Sequence, residues 1–437
     1  MQTPVSGFSK RSKKEKIAWI VENHFHDTAE AKATVEKYWH QDEQLQQLHD
    51  DFIENTISNY YLPLGVAPNF NINGTLYTIP MAIEESSVVA AASKAAKYWG
   101  DRGGFTTQIL GEEKIGQIHF IFSGDSEKLA QFIQEIEGKL RKDVAALTAN
   151  MEKRGGGIRS IELRDKTELL EDYYQLHLCF LTADSMGANF INSCLEAIAK
   201  KLQEYIGLDP RFTESEKKCE IVMSILSNYV PNCIAKARVC CPVDELEQEE
   251  GLSQQAFAEK FVRAVKIAQK EPFRAVTHNK GIMNGVDAVV IATGNDFRAV
   301  EAGVHAYAAR NGQYSSLSHA YIEDGKLHFE LTLPLAIGTV GGLTKLHPLV
   351  KWSLGLLGNP SATELMQIIV VAGLAQNFAA VRSLVTSGIQ KGHMKMHLLN
   401  ILNQLNASPS QKEAAIAHFK TTAVSHSAVA QFLENNS

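Results

Sequence analysis

The hydrophobic pattern of the chain changes from a helical period to the alternation of strands after about residue 60. Before that point, apolar positions such as Ile17, Ile20 and Val21 recur at helical spacing between charged residues, which predicts short helices. From Leu62 to Tyr77, short apolar segments flank the Asn73-Gly74 pair, which predicts a β-hairpin. The small-residue segment VVAAASKAAKYWG follows as a predicted helix.

The region from about Leu110 to Leu226 has the pattern of a separate unit. Strand-like segments are GEEKIGQIHFIFSG, SIELRD and YYQLHLCFLTAD, and SEKLAQFIQEIEGKLRKDVAALTANMEKR predicts one long amphipathic helix. The last strand runs through a turn containing Gly187 into the helix NSCLEAIAKKLQEYIG. A strand, a tight turn and a helix N-terminus present backbone N–H groups to an anion such as a pyrophosphate.

The stretch from Arg274 to Asp296 predicts the centre of a functional site. It places Lys280 in an amide-rich, turn-forming segment, and then Val286 to Ala292 predicts a buried strand that ends in Gly-Asn-Asp. Helical, strand-like and again helical segments follow. From Leu398 onward we expect two weak helices joined through Ser408-Pro409-Ser410.

Composition narrows the class of protein. The chain has 437 residues, which predicts about two to three domains of ~150 residues. A formal net charge of -6, with 45% hydrophobic and 21% charged residues, requires neither nucleic acid nor a membrane surface as a partner. The six cysteines form no C-x-x-C pair, so we expect reduced thiols in a cytosolic protein and no metal site.

Several motifs leave alternatives open. The basic residues from Lys10 to Lys16 form either a solvated face or a contact for a phosphorylated substrate. Glu84 and Glu85, which precede the small-residue helix, serve either as caps or in chemistry. The segment from Gly338 to Pro348 lacks the spacing of a phosphate loop, and no G-x-G-x-x-G is present.

A set of motifs, taken together and in order, resembles a known family. IEESSVVAAAS, DSMGANFIN, THNKGIMNG, IATGND, GLAQNFAA and GIQKGHM are similar to segments of 3-hydroxy-3-methylglutaryl-coenzyme A (HMG-CoA) reductases, and the soluble bacterial (class II) kind is the nearest in pattern. The resemblance covers about Leu62 to Met394. Such enzymes reduce HMG-CoA by four electrons to mevalonate and free coenzyme A, using two reduced nicotinamide cofactors.

The resemblance implies an α+β fold with a discontinuous architecture. Residues 1–111 and 228–380 form a large mixed domain that binds HMG-CoA, and residues 112–227 form an inserted small NAD(P)-binding domain. Residues 381–437 form a mobile helical lid that carries His393. The resemblance also implies a cytoplasmic homodimer, or a higher oligomer, with its active site at the subunit interface.

The resemblance assigns a role to each candidate residue. Lys280 stabilises the oxyanion of the substrate, and Asp296 hydrogen-bonds to Lys280. Glu85, with a pKa raised by burial and by Glu84, donates a proton to that oxygen. His393 protonates the coenzyme A thiolate. The substrate-binding residues are Ser87, Arg274, Asn284, Gln376 and Asn377. The cofactor-binding residues are Asp184, Met186, Gly187, Ala188, Asn189, Asn228 and Thr148.

Two departures from the family pattern bear on function. Ser86 stands where the family has a proline, from which we expect a modest loosening next to Glu85. An ungapped count puts Thr148 where NADH-using members carry an aspartate, and Lys153 and Arg154 are close by, which favours NADPH over NADH. Two alternatives stay open: a degradative enzyme that oxidises mevalonate with NAD, and a relative that only binds coenzyme A thioesters.

Overall fold

The structure is a computed structural model that describes residues 4–249, 251–386, 388, 398–419, 422 and 424–436. Its internal contacts divide the chain into two compact units, residues 1–63 and 64–437. Helix accounts for 51% of the structure and strand for 20%, so the predicted mixed helix-and-sheet fold is confirmed. The assignment of substrate and cofactor to separate domains stays a prediction.

The first unit consists of short helices, as the helical spacing predicts. Ser12 begins the first of them with a capping box in which its side chain and that of Glu15 exchange hydrogen bonds. Ile17 and Val21 are its buried residues. The helices are α1 (Lys13–His24), α2 (Thr28–Glu36) and α3 (Glu43–Asp50).

The second unit contains three antiparallel sheets and most of the helices. The strands are β1 (Leu64–Ile72), β2 (Thr75–Ala82), β3 (Thr106–Ile109), β4 (Lys114–Ile121), β5 (Gly157–Asp165), β6 (Tyr173–Leu181), β7 (Glu220–Ser227), β8 (Ile234–Pro242), β9 (Ser318–Glu323) and β10 (Lys326–Pro334). The helices are α4 (Val88–Gly100), α5 (Ser126–Asp143), α6 (Ala145–Glu152), α7 (Ala188–Leu208), α8 (Gln254–Lys270), α9 (Pro272–Ala292), α10 (Phe297–Ala308), α11 (Leu343–Leu346), α12 (Pro348–Leu356) and α13 (Ala362–Val385).

The sheets belong to two separate hydrophobic cores. The predicted hairpin β1-β2 is confirmed, and the four-stranded sheet β3-β8-β10-β9 packs with it into one core. The second four-stranded sheet, in the order β5-β6-β4-β7, packs against α5 and α7 in a core of its own. The turn between β6 and α7 therefore belongs to a different core from Lys280.

Helix α9 corrects the prediction for residues 274–296. The segment from Pro272 to Ala292 is one helix of 21 residues, not a turn followed by a strand. Glu271 caps its N-terminus and Pro272 occupies its first turn. Gly285 serves close packing, since a Cβ there would lie 2.5 Å from the carbonyl oxygen of Ala372 in α13. The buried residues of α9 do recur at helical spacing, as at Ala275, Ile282 and Val286, but the polar His278 and Asn279 are buried among them and weaken the apolar pattern in the sequence.

Helix α13 lies against α9 and is apolar along most of its length. It is the one helix in the described part of the chain that is long and apolar enough to cross a membrane. However, 72% of its most apolar window is buried inside the protein, which is typical of a core helix. A capping box between Ser361 and Glu364 begins it.

Two further helix predictions are wrong in detail. The long amphipathic helix after β4 is two helices, α5 and α6, divided at the buried residue Val144. The described part of the C-terminal region has three helical segments, residues 398–404, Pro409–His418 and His426–Asn435. Ser408 and Pro409 are not a linker, because Ser408 caps the second segment and Pro409 occupies its first turn.

Candidate functional site

Lys280 and Glu85 form an ion pair at the surface of the large core. The ammonium Nζ of Lys280 lies 2.6 Å from Oε2 of Glu85, although the two residues are 195 positions apart in the sequence. The side chain of Lys280 is 60% exposed and that of Glu85 is 35% exposed. The burial predicted for Glu85 is therefore only partial in the single chain, and the pair is open to a ligand.

The turn that carries Glu85 does not cap the helix that follows it. Neither Glu84 nor Glu85 lies in the first turn of α4, and the structure gives its N-cap residue, Ser87, no capping side-chain hydrogen bond. The alternative interpretation of the two glutamates as caps is wrong. Ser87 has a φ of 74°, a left-handed conformation that is uncommon for serine and is often found at functional sites.

Asp296 has a different partner from the expected one. Its carboxylate accepts hydrogen bonds from the backbone N–H groups of Arg298 and Ala299 as the N-cap of α10, and from the Arg298 side chain at 3.0 Å. Burial pushes the pKa of Asp296 up, but these hydrogen bonds and the Arg298 charge outweigh it and lower the pKa below its ordinary value. The expected hydrogen bond to Lys280 is not formed between these two described residues: Lys280 binds Glu85, and the part of α9 from Lys280 to Ala292 separates the two residues by about 18 Å within one chain.

A buried polar network supports the Lys280 segment from beneath. Nε2 of His278 lies 2.7 Å from Oγ of Ser318, whose hydroxyl donates to Oδ1 of Asn377 at 2.8 Å. The three residues are at most 2% exposed. Asn279 adds hydrogen bonds to the backbone of Ser315 and Leu317. These contacts join α9 to β9 and α13, and so fix the position of the helix that carries Lys280.

The predicted substrate residues differ in exposure. Arg274 and Asn284 on α9 are half-buried, and burial lowers the pKa of Arg274. Gln376 and Asn377 on α13 are buried, at 6% and 1% exposure. Asn377 already holds Ser318, so it shapes the site from behind the surface. Arg274 is the better placed of these residues to meet a carboxylate.

The turn between β6 and α7 has the geometry of an anion site. Gly187 is the N-cap of α7 with a φ of 87°, and a Cβ there would lie 2.4 Å from Cγ2 of Thr182. Among the described residues, no side chain caps α7 and no acidic residue lies in its first turn. The first backbone N–H groups of a 21-residue helix therefore remain free for a phosphate.

A short segment after β10, residues 337–340, joins this turn to the Asp296 region. The backbone N–H of Thr339 donates to the carbonyl oxygen of Asp184 at 2.8 Å, and that of Gly338 donates to Oδ1 of Asn295, also at 2.8 Å. Both backbone N–H groups donate hydrogen bonds within the protein, which agrees with the rejection of a phosphate loop here. We name residues 337–340 the strap.

Two further predicted cofactor residues, Thr148 and Asn228, contact other parts of the protein. Thr148 is 2% exposed, and its hydroxyl donates to the carbonyl of Ala145 within α6. The ungapped count placed it on the inner side of a helix, so its side chain is not available to a cofactor. The carbonyl of Asn228 packs against Gly303 of α10. His393 lies outside the described residues.

Sequence reasoning missed the residues that hold the site together. Lys114, Asn295 and Ser318 were not among the predicted site residues. Lys114 did give a signal, because its position in β4 has the same alternation as the fully buried residues Ile118 and Phe120. A lysine in the inward register of a strand requires partners inside the protein.

The described residues contain no cluster of three or more metal-ligating side chains. All six cysteines are free thiols, and five of them are buried. Burial raises the pKa of Cys219 to about 12 and that of Cys233 to about 11. Such thiols have little nucleophilic character at neutral pH.

Known proteins similar to this chain share one name. The sequence model of hydroxymethylglutaryl-coenzyme A reductase matches residues 12–398. The chain is 37% identical over 421 residues to the 3-hydroxy-3-methylglutaryl-coenzyme A reductase of Archaeoglobus fulgidus, which covers 95% of this chain and 90% of that protein. It is 38% identical over 366 residues to a probable reductase of Borreliella burgdorferi, covering 82% of this chain and 80% of that protein.

Solved structures similar to this chain are also HMG-CoA reductases. The reductase of Streptococcus pneumoniae aligns with a TM-score of 0.73 and 36% identity over 100% of both chains. A second structure of the class II enzyme from that organism, bound to NADPH in open conformations, aligns with a TM-score of 0.71 and 37% identity over 88% of this chain and 100% of that one. The resemblance seen in the motifs is thereby confirmed, and the chain belongs to the hydroxymethylglutaryl-coenzyme A reductase family of oxidoreductases.

Proposed function

We propose that this chain reduces HMG-CoA by four electrons to mevalonate and free coenzyme A, with two molecules of NADPH, in the mevalonate pathway of isoprenoid synthesis. The observation that carries the proposal is the pair formed by Lys280 and Glu85 at 2.6 Å. When a carbonyl is reduced, its oxygen first gains negative charge and then a proton. A cation next to a carboxyl group can serve both needs.

The roles of these residues follow from their chemistry. The Lys280 ammonium stabilises the oxyanion of the substrate, and Glu85, in its protonated form, donates a proton to that oxygen. Asp296, at the start of α10, is proposed to supply a further carboxylate and to pair with Lys280 of a second copy of the chain, because α9 separates the two residues by about 18 Å within one chain. Protonation of the departing coenzyme A thiolate is assigned to His393 from the family motif.

The residues present fit NADPH. The uncapped N-terminus of α7, behind Gly187, suits the pyrophosphate, and Asp184, Met186, Ala188 and Asn189 surround it in sequence. When bound, NADPH supplies the hydride for each reduction. Because Thr148 is buried, the exposed side chains of Lys153 and Arg154 are the better candidates to meet a 2′-phosphate. We therefore propose NADPH over NADH, with Asn228 as a more distant contact.

Arg274 is proposed to bind the free carboxylate of the hydroxymethylglutaryl group, since a guanidinium meets a carboxylate through two hydrogen bonds. It lies on α9 with Lys280, so one helix fixes the distance between the carboxylate and the reacting carbonyl. Ser87 and Asn284 are proposed to supply further polar contacts to the substrate. Gln376 is buried, and its Oε1 has no hydrogen-bond partner among the described residues.

We further propose that a second copy of the chain covers this surface, in a homodimer or higher oligomer. Phe273 is 87% exposed and Val276 is 54% exposed, and at helical spacing they lie on the same face of α9 as Lys280. Large apolar side chains at a reactive surface are typical of an interface. A partner there would also exclude water from the ion pair.

The alternatives differ in what they predict. An enzyme of the degradative direction would have the same site, because a catalyst serves both directions, and would differ in its cofactor and its cellular role. A relative that only binds coenzyme A thioesters would have no need of the Lys280–Glu85 pair. Reduced, buried thiols agree with a cytoplasmic location, which we propose for the chain.

The proposal is tested by adding HMG-CoA to the full-length protein with NADPH or NADH and following the absorbance of the reduced nicotinamide together with free thiol. We expect two NADPH to be consumed for each thiol released. Release of no thiol with either cofactor would contradict the reductase activity. A strong preference for NADH, or for mevalonate with NAD, would instead favour the degradative alternative.

A further inference from the structure

Lys114 is a buried lysine that the mechanism above does not use. It is the first residue of β4 and only 5% of it is exposed. Burial lowers its pKa, while the nearby Cys233, Glu112 and Asp184 raise it. A cation in such a place needs hydrogen-bond partners, because its transfer from water is otherwise costly.

The partners of Lys114 are three oxygens from two segments. Its ammonium donates to Oγ1 of Thr182 at 2.6 Å, to the carbonyl oxygen of Ser185 at 2.7 Å and to the carbonyl oxygen of Ile337 at 3.4 Å. The first two belong to the turn between β6 and α7, and the third begins the strap. One side chain therefore holds both segments.

The turn and the strap also fit closely against each other. The carbonyl oxygen of Asp184 accepts from Thr339, and its Oδ1 accepts from the backbone N–H of Ala362 at the start of α13. A Cβ on Gly338 would lie 2.4 Å from the backbone nitrogen of Met186, so only glycine allows this approach. The contact leaves little room for the turn to shift.

The strap also contacts the residue that precedes Asp296, a proposed catalytic residue. The Gly338 N–H binds Asn295, which precedes Asp296 in the chain. Contacts thus run from Lys114 through the turn and the strap to the residue before Asp296. They join the sheet β5-β6-β4-β7, in which Lys114 begins β4, to the core that contains α9 and α10.

We propose that Lys114 is a positioning residue that holds the dinucleotide-binding turn at a fixed place relative to Asp296. This inference rests on the proposed function, because it assumes that the turn binds NADPH. Lys114 itself touches neither the substrate nor the cofactor. Its removal leaves the Ser185 and Ile337 carbonyls without their charged donor, so the turn loses its fixed position.

The test compares Lys114→Met, Lys114→Gln and the control Lys236→Met in the full chain. Lys236 is a lysine on β8 that pairs with Glu330 at 2.8 Å, outside this network. We expect Lys114→Met to raise both the dissociation constant and the KM for NADPH roughly tenfold, as loss of charged hydrogen bonds does. The KM for HMG-CoA should stay unchanged, Lys114→Gln should fall between, and the control should match the wild type.

Two outcomes would overturn the inference. One is an unchanged affinity for NADPH in Lys114→Met; the other is an equal change in both KM values, which would indicate general destabilisation. If Lys114→Met does not fold, Lys114→Gln carries the same test, because it keeps two N–H donors. Failure of the wild type to bind NADPH would contradict the proposed function itself, whereas normal wild-type activity with unaffected variants would contradict only the role of Lys114.

Discussion

The groups that we propose to react lie at the surface of the single chain, and buried residues support the helix that carries Lys280. Lys280 and Glu85 are partly exposed, whereas His278, Ser318 and Asn377 are buried directly behind them. A buried hydrogen-bonded network holds a side chain in one place more firmly than surface contacts do. The arrangement keeps the lysine accessible and its helix fixed.

His278 gives the first prediction at the scale of single residues. Burial and the positive charge of Arg274 lower its pKa to about 3 from an ordinary 6.5. Below about pH 6.5 the unfolded chain binds a proton that the folded chain does not, so the free energy of unfolding falls as the pH falls. We expect a loss of about 2 kcal/mol from this residue between pH 7 and pH 5.

Urea unfolding at the two pH values measures this loss. His278→Asn should be less stable at pH 7 but should lose less on acidification. His26→Asn, which changes an exposed histidine of the first unit, serves as the control and should behave as the wild type. An equal acid loss in His278→Asn and the wild type would show that His278 is not the buried neutral group.

Asp296 allows its structural and chemical roles to be separated. As the N-cap of α10 it should tolerate serine, whose hydroxyl can also cap, whereas Asp296→Ala should lose about 1 kcal/mol of stability. If its carboxylate acts in the reduction, both variants should lose kcat, roughly 100-fold or more. Thermal unfolding measures the change in stability, and steady-state kinetics measure the change in kcat. Full activity in Asp296→Ser would show that Asp296 serves only as a helix cap.

Single residues also show what the sequence can and cannot reveal. Glu85 and Lys280 were predicted from long motifs, and the structure joins them. Lys280 was predicted as the partner of Asp296, but in the single chain Asp296 pairs with Arg298, two positions away, which the motif does not encode. Lys114 was missed because its three partners come from distant segments, which only the folded chain brings together.

At the scale of elements, α9 is the part of the fold that the sequence pattern predicted wrongly. Glycines and amide side chains favour turns in an exposed segment, but in α9 they meet a neighbouring helix. Gly285 in particular lets α9 approach the backbone of α13. Local propensity failed here because tertiary packing decides the conformation of a buried segment. The hairpin and the alternating strands, which follow local rules, were predicted correctly.

Close packing of α9 on α13 gives a prediction for the two glycines of α9. A Cβ at Gly285 would meet the Ala372 carbonyl oxygen at 2.5 Å, whereas one at Gly281 would meet Cβ of Ala380 at 3.9 Å. We therefore expect Gly285→Ala to lower stability by about 1–3 kcal/mol. The control Gly281→Ala should raise it by up to ~1 kcal/mol, because alanine favours a helix. Urea midpoints would measure both, and equal midpoints for the two variants would contradict the close approach.

At the scale of the whole molecule, the exposed face of α9 predicts association. Phe273→Glu should reduce the molar mass in solution to that of one chain, because it places a charge in an apolar interface. Activity should fall with it if the partner completes the site. Leu169→Glu, at a residue that is 75% exposed in the loop before β6, is the control. Light scattering measures the mass, and an unchanged mass in Phe273→Glu would place the interface elsewhere.

The family and the general fold were predictable from the sequence because the motifs are long and several. The region from about Leu110 to Leu226, in which the pattern indicated a separate unit, has a hydrophobic core of its own, and its assignment as a cofactor domain stays a prediction. The connection between the cores was not predictable. It depends on Lys114 and the strap, whose contacts join residues more than two hundred positions apart, such as Lys114 and Ile337.

The role of Lys280 in the reduction is the central claim, and the kcat of Lys280→Ala tests it most directly. Lys266→Ala, at an exposed lysine of α8, is the matched control. With HMG-CoA and NADPH at saturation, we expect Lys280→Ala to lower kcat at least ~100-fold and Lys266→Ala to leave it unchanged. A Lys280→Ala enzyme that folds and keeps the wild-type kcat would contradict the account.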